Sequence, residues 1–422
     1  MKKLIALLLA VTMLFGLAAC GGSGDAASSG AAPAGSSAPA GDSSGPQKLS
    51  LILRGGSYAD VIKAALPEFE AAHNVKCEVL DLSFDDLHTK IALDALNEKG
   101  AYDLCMVDGS WMAEFTANGV LANLTELGYE LDEDIIPNTT SICMVDDQVY
   151  LAPYFGNVTI LMYNKQLLAD AGYDIADVDS WDDVLKVCAD AKANGKEGFL
   201  IRGDSGDNYV SDFLPFLLAH GGWVVDENNN PTIDTPEFKA AMEEYLELIA
   251  TGTAMSKDDV TAAIDNGSAA MSVGWPGWYV PGDDTAASYT VIPASAAEGG
   301  EQYATSEYGI WTLGVCDNSQ NKELAVELLK FIMDPETQLE SIANGGVPCR
   351  YSCLQNPEVV AEMPHLEIVC GALENGVYRP VIEEWAEFTN LLGAEMDNIV
   401  HGVKTVEQGL ADAQMQIEML LA

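Results

Sequence analysis

From residue 49 onward the chain alternates between patterns typical of strands and patterns typical of helices. Leu49 to Arg54 alternates like a strand, and Ser57 to His73 has the apolar spacing of a helix. Val75 to Leu82 predicts a second strand, Phe84 to Lys99 a second helix, and Tyr102 to Asp108 a third strand. Strands that alternate with helices form βαβ units, so this order predicts an α/β fold with a mostly parallel sheet flanked by helices.

A second α/β series follows the extended apolar stretch from Val149 to Lys165. Ser180, with an acid three residues on at Asp183, indicates a capped helix start, and Pro236 stands at the first position of another helix. A last amphipathic helix begins at Glu407. A chain of 422 residues that is 48% hydrophobic is long enough to bury two cores, so we expect a globular body with two lobes.

The first residues have the composition of an export signal. Met1-Lys2-Lys3 precedes an apolar run from Leu4 to Ala19, which is too short for a comfortable membrane-spanning helix. Leu17-Ala18-Ala19-Cys20 resembles the motif at which bacterial lipoproteins are cleaved and acylated; a plain signal peptide with a chance cysteine is the alternative. Residues 21–47 are rich in Gly, Ala, Ser and Pro and predict a flexible tether. We expect a signal peptide over residues 1–20 and an exported chain anchored by lipid on Cys20.

The charge balance limits the partners of the chain. Its 20 basic and 65 acidic side chains give a formal net charge of −45, which repels nucleic acid. The composition also offers no basic patch for a phosphate-rich ligand. The sequence therefore predicts no nucleic-acid partner and a ligand that is neutral or cationic.

Two of the seven tryptophans flank a Pro-Gly pair in the stretch Trp275-Pro276-Gly277-Trp278. Proline presets φ and glycine tolerates positive φ, so this stretch predicts irregular backbone. Indole rings on a turn are usually partly accessible to solvent. These two rings are therefore candidates for contact with a ligand.

An ordered set of short stretches resembles the extracellular solute-binding proteins of bacterial ABC importers, in the branch that binds sugars and polyols. The order of the set carries the resemblance, because no single stretch is distinctive, and the set extends from about residue 48 to the end of the chain. The matching stretches are Tyr102 to Asp108, Trp111 to Phe115, Pro153 to Lys165, Ser180 to Asp183, Ala269 to Met271, Trp275 to Trp278, Gly345 to Pro348, Arg350, and Arg379-Pro380.

This resemblance implies two α/β lobes joined by crossing segments, with the ligand held in the cleft as the lobes close. The crossings would fall near Tyr154 to Val158, near Val273 to Trp278 and near Trp311 to Val315. Lobe 1 would comprise residues 48–155 and 276–313, and lobe 2 would comprise residues 156–275 and 314–422.

The resemblance also implies a function. The chain would be a lipid-anchored receptor on the extracellular face of the cell membrane, which captures a carbohydrate and delivers it to the permease subunits of an ABC transporter. Such a receptor is not an enzyme, needs no cofactor, and is expected to act as a monomer.

A sugar presents apolar C–H faces and a rim of hydroxyl groups, so its binding site needs flat aromatic surfaces with a few donors and acceptors. The candidates are Trp111, Trp275, Trp278 and Trp311 for stacking, Asp108 as an acceptor, Arg350 and Arg379 as donors, and Tyr154 and Asn157 as the hinge wall. Three of these candidates have structural alternatives. Trp311 could be a core residue of a strand, Asp108 could cap the following helix, and Arg350 could pair with one of the many acids.

Other functions fit the sequence less well. A polyamine or another cationic solute could also lie against aromatic walls beside Asp108. A secreted glycosidase would need paired carboxylates, but Glu383 and Glu384 are neighbours that point in different directions. A serine hydrolase is disfavoured because His73 ends an amphipathic helix, although residues 203–206 read Gly-Asp-Ser-Gly.

Two segments have spacings that a metal could use. Cys349, Cys353, His365 and Cys370 could bind zinc, but a local disulfide or free thiols are the favoured interpretation. Asp226 to Asn230 resembles part of a calcium loop without its glycine and its distal glutamate, so a turn between strands is favoured. No metal site is therefore predicted.

Overall fold

The computed structural model describes residues 46–203, 206–282 and 285–422. The predicted signal peptide over residues 1–20, the lipid-bearing Cys20 and nearly all of the predicted tether lie outside the described residues. Asp204 and Ser205 of the Gly-Asp-Ser-Gly stretch also lie outside them. Within the described ranges, no helix is both long enough and apolar enough to cross a membrane.

Strands and helices alternate along most of the described chain. In chain order the strands are β1 (Gln47–Arg54), β2 (Val75–Leu82), β3 (Leu104–Asp108), β4 (Met144–Val145), β5 (Gln148–Val149), β6 (Ala152–Phe155), β7 (Ile160–Asn164), β8 (Glu197–Arg202), β9 (Ala254–Met255), β10 (Ala269–Gly274), β11 (Ala287–Thr290), β12 (Glu307–Tyr308), β13 (Trp311–Val315) and β14 (Val377–Tyr378).

The helices complete the pattern, and their bounds follow the same order. They are α1 (Ser57–His73), α2 (Phe84–Asp94), α3 (Met112–Ala117), α4 (Lys165–Ala171), α5 (Trp181–Ala193), α6 (Gly206–Ala219), α7 (Pro236–Ile249), α8 (Lys257–Asp265), α9 (Lys322–Met333), α10 (Pro335–Ser341), α11 (Tyr351–Leu354), α12 (Pro357–Glu362), α13 (His365–Asn375), α14 (Trp385–Val400) and α15 (Val406–Leu420). Short 3-10 turns lie at Gly109–Trp111, Pro137–Cys143, Ile175–Asp177, Pro276–Trp278 and Ile342–Asn344.

Lobe 1 is built on a sheet with the strand order β2-β1-β3-β13-β6. β1 pairs in parallel with β2 and with β3, whereas β13 runs antiparallel to both β3 and β6. Buried apolar side chains of this sheet and of α1, α2, α9 and α13 form one continuous core.

Lobe 2 is built on a sheet with the strand order β11-β7-β10-β8-β9. β8 pairs in parallel with β9 and with β10, whereas β7 runs antiparallel to both β10 and β11. Its core is supplied by this sheet and by α5, α6, α7, α14 and α15. The predicted α/β fold with two lobes is confirmed, and one strand in each sheet is reversed.

The described chain crosses between the lobes in three segments, residues 156–159, 305–310 and 376–384. The segments are hydrogen-bonded to one another, because β12 pairs in parallel with β14 and Val158 forms a bridge with Tyr308. The reversed strands β7 and β13 begin just after the first two crossings. These strands run away from the cleft, so the strands that oppose them, such as β3 and β10, end at the cleft.

The structure corrects the predicted crossings and lobe boundaries. The stretch Val273 to Trp278 does not cross, because the chain continues into β11, which pairs with β7 in lobe 2. The third crossing is residues 376–384 instead. β11 therefore lies outside the lobe predicted for residues 276–313, and helices α9 to α13 pack in the core of lobe 1, not lobe 2. An amphipathic helix can pack its apolar face on the core of either lobe, so the sequence pattern of the helix does not show to which lobe it belongs.

Several local predictions are confirmed. The hydroxyl of Ser180 accepts a hydrogen bond from the backbone N–H of Asp183 at 3.2 Å and so caps α5. Helix α1 has the predicted bounds and ends at Asn74, whose φ of 51° places it in the left-handed region that asparagine tolerates. Helix α2 is shorter than predicted and ends at Asp94 instead of Lys99.

The cysteines of the described ranges are all buried free thiols, which includes the set Cys349, Cys353 and Cys370. Among the described residues, no group of three or more histidine, cysteine or acidic side chains could hold a metal ion. At the suspected calcium loop, Asp226 accepts hydrogen bonds from the backbone N–H groups of Asn228 and Asn230, as in a turn.

Candidate functional site

A cavity of 270 Å³ lies between the lobes, at the carboxyl ends of several strands. β1 ends at Arg54, β3 ends at Asp108 and β8 ends at Arg202, and all three side chains line the cavity. Ligands of α/β sheets bind outside the carboxyl ends of the strands. The lining comprises Arg54, Tyr58, Phe84, Asp108, Asn157, Arg202, Asp207, Asn208, Ser211, Lys257, Trp275, Trp278, Trp311 and Arg379.

The lobe 1 wall of the cavity is an aromatic cluster of Tyr58, Phe84 and Trp311. Trp311 is the first residue of β13, and its ring centroid lies 5.6 Å from that of Tyr58 and 6.0 Å from that of Phe84. Behind it lies Trp111, whose ring is perpendicular to that of Trp311 at a centroid distance of 5.8 Å. Such tilted and edge-to-face pairs fix ring orientation. The lobe 1 wall is therefore a rigid apolar surface.

The lobe 2 wall combines two indole rings with arginine side chains. The guanidinium of Arg202 lies 4.9 Å from the ring centroid of Trp278, and that of Arg379 lies 5.7 Å from the ring centroid of Trp275. These are cation–π distances. The carboxylate of Asp212 accepts a hydrogen bond from Nε of Arg202 at 2.9 Å and holds the guanidinium in place. The lobe 2 wall is therefore both flat and charged.

Trp275 lies against the hinge because Gly309 leaves room for it. A β-carbon at position 309 would stand 2.9 Å from the Trp275 ring, which is too close for any residue but glycine. Asn157 lies in the neighbouring crossing, and its Oδ1 is buried without a hydrogen-bond partner among the described residues. Buried acceptors normally have a donor, so this oxygen is available to a ligand hydroxyl.

Asp108 caps a turn and also lines the cavity. Its Oδ1 accepts hydrogen bonds from the backbone N–H of Ser110 at 3.0 Å and from the Ser110 hydroxyl at 2.7 Å, so it caps the turn after β3. It also lines the cavity, where burial raises the pKa of its carboxyl although the charge of Arg379 opposes the rise. Within the described residues, Oδ2 makes no hydrogen bond and is free to accept one.

Arg379 ties the hinge to lobe 2. Its Nε donates to Oε1 of Glu307 in the second crossing, and its Nη2 donates to the hydroxyl of Ser211 on α6 at 3.0 Å. Burial raises the pKa of Glu307 to about 7, against the opposing effect of the Arg379 charge. The predicted donor Arg379 therefore lies at the junction of hinge and cavity.

The structure places six of the predicted residues on the cavity lining: Asp108, Asn157, Trp275, Trp278, Trp311 and Arg379. Trp111 lies one layer behind, and the hydroxyl of Tyr154 donates to the backbone oxygen of Tyr58 at 3.3 Å inside lobe 1. Arg350 lies elsewhere in lobe 1. It is 1% exposed and donates to Asp132 at 2.7 Å and to Asp134 at 3.2 Å, which is the ion-pair alternative.

Sequence reasoning missed several lining residues, of which Arg54 and Arg202 are the most informative. Arginine is rare in this chain, since Arg54, Arg202, Arg350 and Arg379 are its only four. Three of the four line the cavity. Arginine is rare in the sequence, and two of the four arginines stand at the carboxyl ends of strands. These two facts could have indicated arginine in the site, but the net charge of −45 favoured a neutral or cationic ligand.

Two other regions of the surface lack the features of a carbohydrate site. A wider groove of 730 Å³ on lobe 1, which includes Gln47, Asn321 and Glu327, has no aromatic ring in its lining. Glu383 and Glu384, the carboxylates considered for a glycosidase, are exposed and do not line the cavity between the lobes.

Comparison with known proteins agrees with this arrangement. Residues 55–339 match the model of the family described as bacterial extracellular solute-binding protein. The match covers more than half of the chain. The chain belongs to the bacterial extracellular solute-binding proteins. This family is one of exported binding proteins, and the recognition made from the ordered stretches of sequence is confirmed.

Individual relatives of this solute-binding protein have low sequence identity to it, but the alignments cover most of both chains. The chain is 26% identical over 407 residues to the diacetylchitobiose binding protein DasA of Streptomyces coelicolor, which covers 92% of this chain and 91% of that one. It is 22% identical over 399 residues, 89% of each chain, to a probable amino-acid ABC transporter periplasmic-binding protein of Sinorhizobium fredii. The structure of maltose-bound MalE3 of T. maritima superposes with a TM-score of 0.77 at 25% identity, over 88% of this chain and 99% of that one.

Proposed function

We propose that this solute-binding protein is the receptor of an ABC importer and that its solute is a carbohydrate, either a sugar or a polyol. The observation that carries the proposal is the cavity itself, in which the indole rings of Trp275, Trp278 and Trp311 converge between two lobes. Flat apolar rings suit the C–H faces of a sugar. Asp108 and Asn157 supply acceptors for its hydroxyl groups.

The size of the interaction suits a transport receptor. Covering half of one aromatic ring at roughly 25 cal/mol/Å² contributes on the order of 2 to 3 kcal/mol. Three such contacts and several hydrogen bonds, after the entropy of association is subtracted, reach the roughly −8 kcal/mol of a micromolar complex. Reversible binding of this strength needs no catalytic group, so we assign no enzymatic activity.

The hinge supplies the closing movement. The three crossings are the only connections between the lobes in the described chain, and they are short segments at element ends, where hinge motion is usually absorbed. Both walls of the cavity contribute rings, so a solute gains its full contact only when the lobes approach. The closed form would then be the one that the permease recognises.

The known ligands of relatives support this proposal. DasA is described as binding diacetylchitobiose, and MalE3 was solved with maltose. The relative from Sinorhizobium fredii is described as probably belonging to an amino-acid transporter, so amino acids belong in any test of the solute. The lipid anchor on Cys20, the extracellular location and the monomeric state stay part of the proposal.

A ligand panel tests the proposal. The chain without residues 1–45 is titrated by calorimetry with neutral sugars, sugar acids, polyols, amino acids and spermidine. We expect at least one carbohydrate to bind, and we expect Trp278→Ala to weaken its binding by about 10-fold to 100-fold, because one ring contact is lost.

The matched control is Trp223→Ala, since Trp223 is a half-buried indole of lobe 2 that does not line the cavity. It should leave the dissociation constant within about twofold of wild type. Binding of spermidine or of an amino acid with no binding of any carbohydrate would refute the proposed solute class. Unchanged affinity in Trp278→Ala would refute the proposed site.

A further inference from the structure

The arginines of this chain are distributed in an unusual way. The protein has 65 acidic and 20 basic side chains, and only four of the basic ones are arginine. Three of these four, Arg54, Arg202 and Arg379, line the cavity between the lobes, and Lys257 lies at its edge. Most of the arginine residues of this strongly acidic protein therefore lie at one small site.

Two of the three guanidinium groups already have carboxylate partners. Arg202 pairs with Asp212, and Arg379 pairs with Glu307. These pairs neutralise most of the charge that the two arginines bring to the cavity. Of the three arginines, Arg54 therefore indicates most about the charge of the solute.

Arg54 has no carboxylate partner among the described residues. Its Nη1 makes two long hydrogen bonds, to the backbone oxygens of Gly55 at 3.4 Å and Leu82 at 3.3 Å. Backbone carbonyls do not neutralise a guanidinium, and this side chain is only partly exposed to solvent. Nε and Nη2 remain as donors in the planar arrangement that matches a carboxylate.

Arg54 of lobe 1 and Arg202 of lobe 2 line the same cavity. The charges of both act on the hydroxyl of Tyr58, whose pKa burial raises to about 12 and the two arginines lower. Because Asp212 already neutralises most of the charge of Arg202, Arg54 is the guanidinium whose charge is left for an anion in the cavity. An anion held by Arg54 between the lobes would contact both walls and would favour the closed form.

We propose that the carbohydrate bound by this protein is a sugar acid, of about the size of one monosaccharide, whose carboxylate is bound by Arg54 with Arg202 on the opposite lobe. This inference rests on the proposed function and specifies its solute. The cavity of 270 Å³ lies below the roughly 300–1,000 Å³ of pockets for drug-sized ligands, which favours a single sugar unit.

The acidic residues of the cavity disfavour a solute with more than one negative charge. Asp108 and Asp207 line the same cavity and repel a group with two negative charges, such as a phosphate, more strongly than a carboxylate. A single carboxylate matches the single guanidinium that lacks an acidic partner. The hydroxyl groups of the same solute are left for Asp108 and Asn157.

Matched pairs of solutes test the inference by calorimetry. D-gluconate and sorbitol share a chain of hydroxyls and differ in the carboxylate, and D-galacturonate with D-galactose is the same comparison in a ring. We expect at least one acid to bind 10-fold or more tightly than its neutral partner. The affinity of that acid should fall as sodium chloride rises from 50 to 500 mM, because exposed charge interactions are screened.

Variants of Arg54 separate its role from general electrostatics. Arg54→Gln should weaken binding of the acid by about 10-fold to 100-fold, and Arg54→Lys by less, because the charge remains while the planar pair of donors is lost. The matched control is Lys48→Gln, which removes the same charge from an exposed position at the other end of β1. It should leave the affinity unchanged. Circular dichroism and melting curves establish whether each variant is folded. If Arg54→Gln does not fold, the loss of affinity in Arg54→Lys relative to wild type tests the role of Arg54.

The outcomes distinguish this inference from the proposed function. Neutral sugars that bind as tightly as their acids, with no effect of Arg54→Gln, would overturn the inference and leave the carbohydrate receptor intact. Tighter binding of glucose 6-phosphate than of any sugar acid would overturn the choice of a carboxylate. Binding of an amino acid and of no carbohydrate at all would overturn both proposals together.

Discussion

The two walls of the cavity use tryptophan in different ways. On the lobe 1 wall, Trp311 is surrounded by other aromatic rings and is continuous with the core of its lobe. On the lobe 2 wall, Trp275 and Trp278 stand on the turn after β10 and are each faced by an arginine. The same residue type thus lies among aromatic rings on one side of the cavity and against charged side chains on the other.

This difference separates stability from affinity. A ring packed against other rings is held without a ligand, so its removal destabilises the fold. Trp278, which is only half-buried on its turn, contributes less to the fold, and we expect it to contribute more to the contact with a solute. Substitutions on the two walls should therefore affect different measurements.

The largest effect is expected behind the lobe 1 wall. Trp111→Ala should lower the free energy of unfolding by about 3–5 kcal/mol, because it leaves a cavity among buried aromatic rings. The affinity for the solute should change by less than about tenfold, since the ring does not line the site. Urea unfolding and calorimetry on the same preparation measure both quantities. A large loss of affinity with little loss of stability would contradict the distinction between the walls.

The hinge that sets the spacing of the walls should respond to pH through Glu307. Its pKa in the folded protein is about 7, above its ordinary value of 4.5, so the folded state binds more protons than the unfolded state between these pH values. Wild type should therefore lose about 3 kcal/mol of stability relative to Glu307→Gln as pH rises from about 4 through 7, and the loss should be complete by about pH 8. Parallel pH dependences of unfolding in the two proteins would contradict this.

The position of Trp275 on the lobe 2 wall is tested by Gly309→Ala. The added methyl group meets the Trp275 ring, so we expect a loss of about 1–3 kcal/mol in unfolding free energy together with weaker binding. Gly371→Ala is the matched control, because a β-carbon there meets no atom within 4 Å. The control should leave affinity unchanged. Equal behaviour of the two variants in thermal melts and titrations would show that Trp275 is not positioned by the hinge.

The smallest effect is expected from Ser211→Ala, which removes one hydrogen bond to Arg379. Arg379 keeps its pairing with Glu307, so the fold should lose only about 1 kcal/mol. Arg379 becomes less fixed over Trp275, and the affinity for the solute should fall by a few-fold. Calorimetry detects a change of this size. Tighter binding in Ser211→Ala would contradict the role given to Arg379 as part of the lobe 2 wall.

Local sequence patterns predicted the elements well and their assignment to lobes less well. The bounds of α1 and β2 agree with prediction, because the periodicity of apolar residues depends only on residues that are close in the sequence. The lobe that receives β11 depends on its pairing with β7, more than 120 residues earlier in the chain, and no local pattern specifies that pairing. The crossing at residues 376–384 was missed for the same reason.

The candidate site divides along similar lines. The indoles of Trp275 and Trp278 could be proposed because a Pro-Gly turn between them is visible in the sequence. The convergence of Arg54, Arg202 and Arg379 could not be proposed from the sequence, because these residues are far apart in the chain. The net charge describes the whole protein and does not show a local group of arginines. Arg350 illustrates the limit, since only its contacts with Asp132 and Asp134 distinguish it from Arg379.

A crystal structure of the protein saturated with the tightest-binding carbohydrate tests the central claim most directly. We expect density for the solute between the lobes, with its C–H faces against Trp311 on one wall and Trp275 or Trp278 on the other. Density for the solute in the wide groove of lobe 1 beside Asn321 and Glu327, with the cavity between the lobes unchanged, would contradict it.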